Sequence, residues 1–261
     1  MNKHSYPILD FDASREALID PFNYYQPVDI AEICILCFFK DVIQAATHDY
    51  KSRIVMELSC ECGPHPVREL EIDGVRIAYA HPGVGAPHAA ALLESVGALG
   101  CRTFIVIGGA GVLKSDIACG HIILPTSAVR DEGTSYHYLP AEREVRPSAD
   151  IVSLLERTLA RHHVPYLAGK TWTTDGIFRE TPATVARRRD EGCLTVEMEA
   201  AAMFAVAEYR DFRIGQMLYG GDDVSGDVWD NRAWVSRADV RENLFALAIE
   251  AAQSLHRESN S

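Results

Sequence analysis

Residues 195–210 read TVEMEAAAMFAVAEYR, a run of alanine and other apolar residues that begins with two glutamates around a methionine. The apolar residues recur at spacings of three and four, which predicts a helix over 196–210. A carboxylate in so apolar a setting is costly unless it binds or pairs with something, so Glu197 and Glu199 indicate a ligand site. The alternative is that both acids simply favour the start of a helix, where the helix dipole stabilises negative charge.

Short apolar runs alternate with longer amphipathic segments along the rest of the chain. This alternation is typical of an α/β protein with helices on both faces of a sheet, and 261 residues are compatible with a single domain over 1–261. The predicted strands are 33–39, 75–82, 103–109, 120–130, 167–175 and 213–222. The other predicted helices are 87–100, 149–163 and a C-terminal helix over 238–258.

Composition excludes several classes of partner. The formal charge is −12 and no basic stripe with interleaved aromatics occurs, which argues against nucleic acid. The longest apolar stretch, near 30–39, is too short to cross a bilayer, so we expect a cytoplasmic protein with no membrane partner.

The seven cysteines do not resemble a disulfide framework, and the ten histidines form no HExxH pattern. Cys34 and Cys37 form a CxxC, but they lie in a continuous apolar run that favours a buried strand over a zinc ligand pair. No metal or cofactor is expected.

Glycine-rich turns follow four of the predicted strands. They cover 81–87, 108–111, 173–176 and 220–223. Ligands in open α/β sheets bind at the carboxyl ends of strands, and glycine lets a backbone approach a ligand closely. Neither glycine cluster is a GxGxxG or a P-loop, so ordinary tight turns are an equal alternative.

Five segments in order resemble the nucleoside phosphorylase family, in particular its uridine phosphorylase branch. They span about residues 75–225, more than half of the chain, and read HPGVGAPHAAALLESVGALGCRTFIVIGGAGVL, GHIILPTSAVRDEGTSYHYLP, GKTWTTDGIF, TVEMEAAAMFAVAEY and GGDDVSGD. The resemblance implies a three-layer α/β/α fold with a twisted mixed central sheet. It also implies that Glu199 accepts hydrogen bonds from ribose hydroxyls, that Met198 packs under the sugar, and that Glu197 lies beside them at the base end.

The resemblance further implies roles at the base end of the site. Asp222 matches the aspartate that protonates the departing base in purine-cleaving members, although Gly221 stands where those members have serine, and Asp223 is an alternative acid. The pyrimidine-specific pattern is missing around Arg179, which favours a purine-like base. Phe178 is expected to stack on that base, with a core position as the alternative. The segments containing Gly85, Gly108 and Gly109 are expected to shape the sugar and acceptor pocket, and Arg179 is a further candidate for substrate binding.

The phosphate site of the family is not matched. A phosphate dianion requires arginines or equivalent donors, and the three family segments that supply them fall here on 36–41, on Val106 with Gly109, and on 60–65, none of which has the expected arginine. Hydrolytic relatives instead activate water with a glutamate, whose place falls on Asp41. Asp41 is therefore a candidate general base, with an ordinary helix-start aspartate as the alternative. Lys40, Lys114 or Arg130 could form a rebuilt phosphate site.

The sequence thus predicts an enzyme that cleaves the N-glycosidic bond of a nucleoside or related ribosyl compound. Water is favoured as the acceptor, and phosphate remains possible as a second substrate. A non-catalytic nucleoside-binding protein with the same fold is the alternative. Because family members assemble as homodimers or as hexamers built from three dimers, the chain is expected to form a homo-oligomer.

Overall fold

One mixed sheet of ten strands organises the part of the chain that the computed structural model describes, residues 4–259. The strands are β1 Ile33–Cys37, β2 Arg53–Cys60, β3 Gly63–Ile72, β4 Val75–Ala80, β5 Thr103–Val112, β6 Ile122–Asp131, β7 Glu144–Val145, β8 Tyr166–Thr174, β9 Cys193–Glu197 and β10 Arg213–Asp223. The α-helices are α1 Pro21–Tyr24, α2 Lys40–Asp49, α3 Ala86–Leu99, α4 Ala149–Arg161, α5 Pro182–Asp190, α6 Ala200–Tyr209 and α7 Ala238–Ser259.

The sheet has a closed part and an open part. Its order is β10-β6-β8-β9-β5-β1-β4-β3-β2, and an additional pairing of β10 with β5 closes five of these strands on themselves. Strand β5 runs parallel to β1 and β10 but antiparallel to β9. The sheet is therefore mixed, as predicted, and β5 lies at the junction of the two parts.

Alternate side chains of the central strands pack on opposite faces of the sheet. In β1, Cys34 and Leu36 join the core beneath α3 and α6, whereas Ile33, Ile35 and Cys37 join the core beneath α2, α4 and α7. This alternation follows from the two-residue period of a strand. The predicted three-layer α/β/α arrangement is confirmed, and so is the buried strand predicted for the CxxC.

The prediction of a helix over 196–210 was wrong at its start. Residues up to Glu197 form β9, which pairs with β5 and with β8, and α6 begins only at Ala200 with Glu199 as its N-cap. The glycine segment 108–111 is likewise not a turn, because it continues β5 and pairs with β10 and β9.

Several elements were not predicted. The β2–β3 hairpin has a mostly exposed or half-buried β2, so β2 has no apolar periodicity that would reveal a strand. Helix α2 follows a predicted strand directly, α5 follows one after a short 3₁₀ helix, and both helices are short with few buried residues. None of the helices within residues 4–259 has the length and apolar character needed to cross a membrane.

Candidate active site

A cavity of about 660 Å³ opens where β5, β9 and β10 meet. Its wall is formed by Phe38, Phe39, Val84, Gly108, Gly109, Ala110, Gly111, Ile177, Phe178, Glu180, Val196, Glu197, Met198, Glu199, Gln216, Leu218, Asp222, Val224, Trp229, Trp234 and Arg241. Seven predicted residues therefore come together in the wall: Gly108, Gly109, Phe178, Glu197, Met198, Glu199 and Asp222. A mainly apolar cavity with a few convergent polar groups is typical of a small-molecule site.

Glu197 is held by its own neighbours. Its Oε2 accepts the N–H of Glu199 at 2.7 Å and of Ala200 at 2.6 Å, and its Oε1 accepts the Thr173 hydroxyl at 2.6 Å. Burial raises the pKa of Glu197, whereas these three hydrogen bonds lower it. The helix-start alternative thus describes the contacts of Glu197, whose carboxylate satisfies the first N–H groups of α6.

Glu199 has a different environment, although it is the N-cap residue by position. Its side chain makes no capping hydrogen bond, and Oε1 instead accepts the N–H of Gly85 at 2.6 Å. Burial raises the pKa of Glu199, and the nearby carboxyl of Glu197 raises it further. Met198 lies between the two acids in the same wall. Glu199 is therefore a buried acid with no basic partner among the contacts of the described residues, which leaves it available for a ligand.

Asp222 and Glu180 form an acidic pair at another part of the cavity. Trp229 donates its indole N–H to Asp222 Oδ2 at 2.6 Å. Burial raises the pKa of Glu180 to about 7, and the charge of Asp222 contributes to the rise. Asp223, the alternative acid, is not among the wall residues. Its carboxylate forms an ion pair with Arg232 and accepts the N–H of Ser225 at 2.8 Å.

Asp41 lies outside the wall, in the first turn of α2. Its side chain is 53% exposed and forms an ion pair with Arg241, with Oδ2 3.2 Å from Nη1. Arg241 itself lines the cavity and also donates to the Tyr219 hydroxyl at 3.3 Å. Among residues 4–259, Arg241 is the one basic side chain in the wall. Asp41 therefore reaches the cavity only through Arg241.

The predicted basic residues do not supply a phosphate site. Arg130 is buried, and its guanidinium donates to Ser135 Oγ and to the carbonyl oxygens of Leu139 and Pro140. Lys40 and Lys114 are not among the wall residues. The guanidinium of Arg130 is thus committed to its own loop.

Two further predicted residues, Gly85 and Arg179, are not wall residues. Gly85 reaches the site through its N–H bond to Glu199, and Arg179 ends a short 3₁₀ helix whose other residues, Ile177 and Phe178, line the cavity. The Phe178 side chain is 93% exposed. It belongs to the mouth of the cavity, so the core alternative is wrong.

Glu180, Arg241 and Gln216 also line the cavity, although the sequence did not single them out. Gln216 lies in the middle of β10, and Arg241 lies in α7, far along the chain from the glutamate motif. Trp229 and Trp234, which follow the Asp222 segment in the chain, both lie in the cavity wall. The Trp234 ring also stacks with Arg241 of α7. The acidity of Glu180 and its position next to Phe178 were the only signals available for it.

Comparisons with known proteins agree with this architecture. Residues 32–252 match the family model described as the phosphorylase superfamily. A guanosine phosphorylase of Halorubrum lacusprofundi is 28% identical over 205 residues, which cover 76% of this chain and 85% of the relative. A uridine phosphorylase of Treponema pallidum is 28% identical over 186 residues, covering 66% of this chain and 70% of the relative.

Similar solved structures include an AMP nucleosidase from Bacteroides thetaiotaomicron. Its TM-score is 0.75 at 22% identity, and the match covers 91% of this chain and 94% of that chain. The relatives thus include both phosphorylases and a nucleosidase. The family match begins just before β1, ends within α7 and includes every residue of the cavity wall. The chain therefore belongs to the phosphorylase superfamily of glycosidic-bond-cleaving enzymes.

Proposed function

We propose that this protein cleaves the N-glycosidic bond of a purine nucleoside or a related ribosyl compound, with water as the acceptor. The observation that carries the proposal is the arrangement of the cavity wall. A buried acid with a methionine beside it lies in one part, and a pair of acids near exposed aromatics lies in another. These two groups suit a sugar and a base respectively.

The sugar end is assigned to Glu199 and Met198. Gly85 fixes one carboxylate oxygen of Glu199, so the carboxylate is oriented before a ligand arrives. Ribose hydroxyls are donors that a carboxylate accepts strongly. The sugar becomes cationic as the glycosidic bond breaks, so a nearby ionised Glu199 stabilises the transition state more than the bound substrate.

The base end is assigned to Asp222 and Glu180, with Phe178 stacking on the base from the mouth. Asp222 acts as the acid that protonates the leaving base, and the Trp229 indole N–H fixes its orientation. An ionised Glu180 can accept the N–H groups of a 6-oxopurine such as guanine, whereas its protonated form can donate to an unprotonated ring nitrogen. Because the pKa of Glu180 is about 7, both forms are present near neutral pH.

The charge of the wall favours water over phosphate. Four carboxyl groups, those of Glu180, Glu197, Glu199 and Asp222, face a cavity to which the described chain contributes one guanidinium. That guanidinium already has Asp41 and Tyr219 as partners. The pKa values of three of these carboxyls are raised, and a phosphate dianion would be repelled at short range by each of the four that is ionised. Asp41, acting through a bridging water beside Arg241, is the proposed base for the attacking water.

Phosphorolysis is the second candidate, and a specific observation supports it. Arg241 comes from α7, outside every segment where the family's phosphate arginines were expected, and its guanidinium lines the cavity. If phosphate displaced Asp41 from Arg241, the site would gain a bidentate anion contact. The similarity to a guanosine phosphorylase is consistent with this alternative.

The deciding experiment measures base release from guanosine, inosine, adenosine, AMP and uridine in phosphate-free buffer, with and without added phosphate. Free ribose or ribose phosphate from the nucleotide, together with ribose 1-phosphate, is quantified in each reaction. Free sugar in the absence of phosphate supports hydrolysis. Strict dependence on phosphate would overturn it, and Arg241→Met should then abolish base release at ordinary phosphate concentrations.

The same experiment distinguishes catalysis from binding alone. Asp222→Asn keeps the shape of the site but cannot protonate a base, so it should bind nucleoside normally and release no base. If the wild-type protein bound nucleoside as tightly as the variant and released no base from any substrate, the protein would be a binding protein.

A further inference from the structure

A cysteine and two histidines meet on the face of the β2–β3 hairpin that packs toward α3. Cys60 ends β2, His65 lies in β3, and His88 lies in the first turn of α3. One potential ligand atom of each residue lies within 4.8 Å of those of the other two. The hairpin register, which pairs Leu58 with His65 and Cys60 with Gly63, places Cys60 and His65 on one face. No metal site was expected from the sequence, and these three residues, which lie in three elements, have no recognisable ligand spacing.

The polar atoms of this cluster have few partners of their own. His65 Nε2 is buried and has no hydrogen-bond partner among the described residues. The Cys60 thiol has a weak contact, 3.7 Å from the Gly63 carbonyl oxygen. The two imidazole rings are perpendicular, with centroids 4.6 Å apart. A buried ring nitrogen without a partner is costly, and a metal ion shared with the neighbouring ring and thiol would satisfy it.

The donor set selects the kind of metal. One thiolate and two imidazoles are ligands that Zn²⁺ prefers, and three protein ligands leave a fourth tetrahedral position for water. In tetrahedral zinc sites the ligand atoms lie roughly 3.3–3.6 Å apart, given metal–ligand distances of about 2.0–2.3 Å. Closing the present separations requires about 1 Å of movement, and Cys60 is exposed while His88 is only half-buried.

The cluster adjoins the segment that supports the cavity. The His88 ring packs directly against Gly83, where a Cβ atom would come within 2.5 Å of the ring. Two residues further along, Gly85 donates its N–H to Glu199. A metal bound to His88 would therefore connect the β2–β3 hairpin to the segment that orients this glutamate.

From this geometry we infer that Cys60, His65 and His88 form a zinc-binding site that connects the hairpin to the segment beneath the cavity. The inference does not rest on the proposed reaction, because none of its three ligands lines the cavity. The site has a structural role, and its fourth position is open to solvent on the Cys60 side.

The test begins with the full chain after chelator treatment and gel filtration. Zinc binding is measured by competition with a chromophoric chelator, and Co²⁺ is then added as a spectroscopic substitute. We expect one tightly bound Zn²⁺ per chain, a thiolate-to-Co²⁺ charge-transfer band in the near ultraviolet, and a thermal midpoint that rises with zinc concentration. Binding of less than one equivalent, or a Co²⁺ spectrum without the thiolate band, would overturn the inference.

Matched variants locate the site. Cys60→Ser and His88→Gln should each weaken zinc binding at least about 100-fold. Cys62→Ser, which removes another exposed thiol of the same hairpin turn, and His48→Gln, which removes an exposed histidine elsewhere, should change it less than about 3-fold. Circular dichroism confirms that each variant is folded. An equal loss in Cys62→Ser and Cys60→Ser would contradict the proposed ligand set.

Discussion

Replacing Glu199 with glutamine should make the protein less active and more stable at the same time. Glutamine has nearly the same shape, and its amide oxygen can still accept the Gly85 N–H that now bonds to Oε1 at 2.6 Å. What disappears is the negative charge. The substitution therefore separates the contribution of charge from that of packing at a residue that is only 6% exposed.

The expected loss of activity follows from hydrogen bonds to a charged acceptor. Each such bond contributes about 1.5–3 kcal/mol, and a neutral acceptor retains roughly half of this. The substitution weakens the hydrogen bonds to two ribose hydroxyls and removes the attraction to the positive charge that develops on the sugar. Together these effects reduce the stabilisation of the transition state by about 3–4 kcal/mol. Since 1.36 kcal/mol corresponds to a tenfold change in rate, kcat/KM should fall roughly 10²–10³-fold.

The expected gain in stability depends on pH. The folded-state pKa of Glu199 is raised by burial and by Glu197, so protonation favours the folded state. This stabilisation is fully present below the unfolded-state pKa of about 4.3 and is lost as pH rises through the folded-state pKa. Glutamine stays neutral, so its advantage over the wild type should be at least about 2 kcal/mol near pH 8 and should become small only near pH 4. This value corresponds to about half of the rise toward a folded-state pKa of about 8.

Thermal unfolding and steady-state base release measure both effects. For a chain of this size, 2 kcal/mol corresponds to a rise in the thermal midpoint of roughly 4–8 °C. Glu132→Gln is the matched control, because Glu132 is a buried acid outside the wall that accepts the N–H groups of Thr134 and Ser135. It should lose stability and keep activity. If Glu199→Gln kept kcat/KM within tenfold, or were less stable than the wild type near pH 8, the reasoning would be refuted.

Three other substitutions test the rest of the site. Trp229→Phe removes the indole donor to Asp222 and should lower kcat about tenfold without moving the thermal midpoint, because Trp229 is largely exposed; an unchanged kcat would contradict the positioning role. The ratio of guanosine to adenosine cleavage should rise as pH increases through about 7, where Glu180 ionises, and Glu180→Gln should give a ratio that is flat with pH. Thr173→Val removes a donor to Glu197 and leaves the Ala201 N–H, now 2.9 Å from the Thr173 hydroxyl, unpaired. Unfolding in urea should show a loss of about 1–3 kcal/mol, and no loss would show that water replaces the hydroxyl.

The sequence could predict the layers of the fold because its central strands are continuous apolar runs. Runs such as 33–37 and 103–107 can only be accommodated between two layers of helices, which is where the structure places them. The β2–β3 hairpin could not be predicted, because an edge hairpin that is half-exposed contributes little to either core. The closure of β5 onto β10 depends on long-range pairing, which no local pattern encodes.

The candidate site divides in the same way. Met198, Glu199 and Asp222 lie next to strand ends in recognisable segments, so the sequence could identify them. Arg241 could not be identified, since it lies in the first turn of an amphipathic helix that carries several other charges, and only the docking of α7 brings it to the cavity. Glu180 stood out neither by spacing nor by motif, and its significance depends on burial next to Asp222.

The two glutamates that begin the apolar segment have separate explanations. Glu197 ends a strand, and its carboxylate accepts the first N–H groups of α6, so the helix-start explanation applies to it. That arrangement frees Glu199 from capping, although Glu199 occupies the N-cap position. Its side chain turns instead to Gly85 and the cavity, where it is buried close to a second acid without a basic partner among the described residues. Such an arrangement destabilises the empty protein, so a ligand that donates hydrogen bonds and carries developing positive charge is the physical reason for a glutamate at this position.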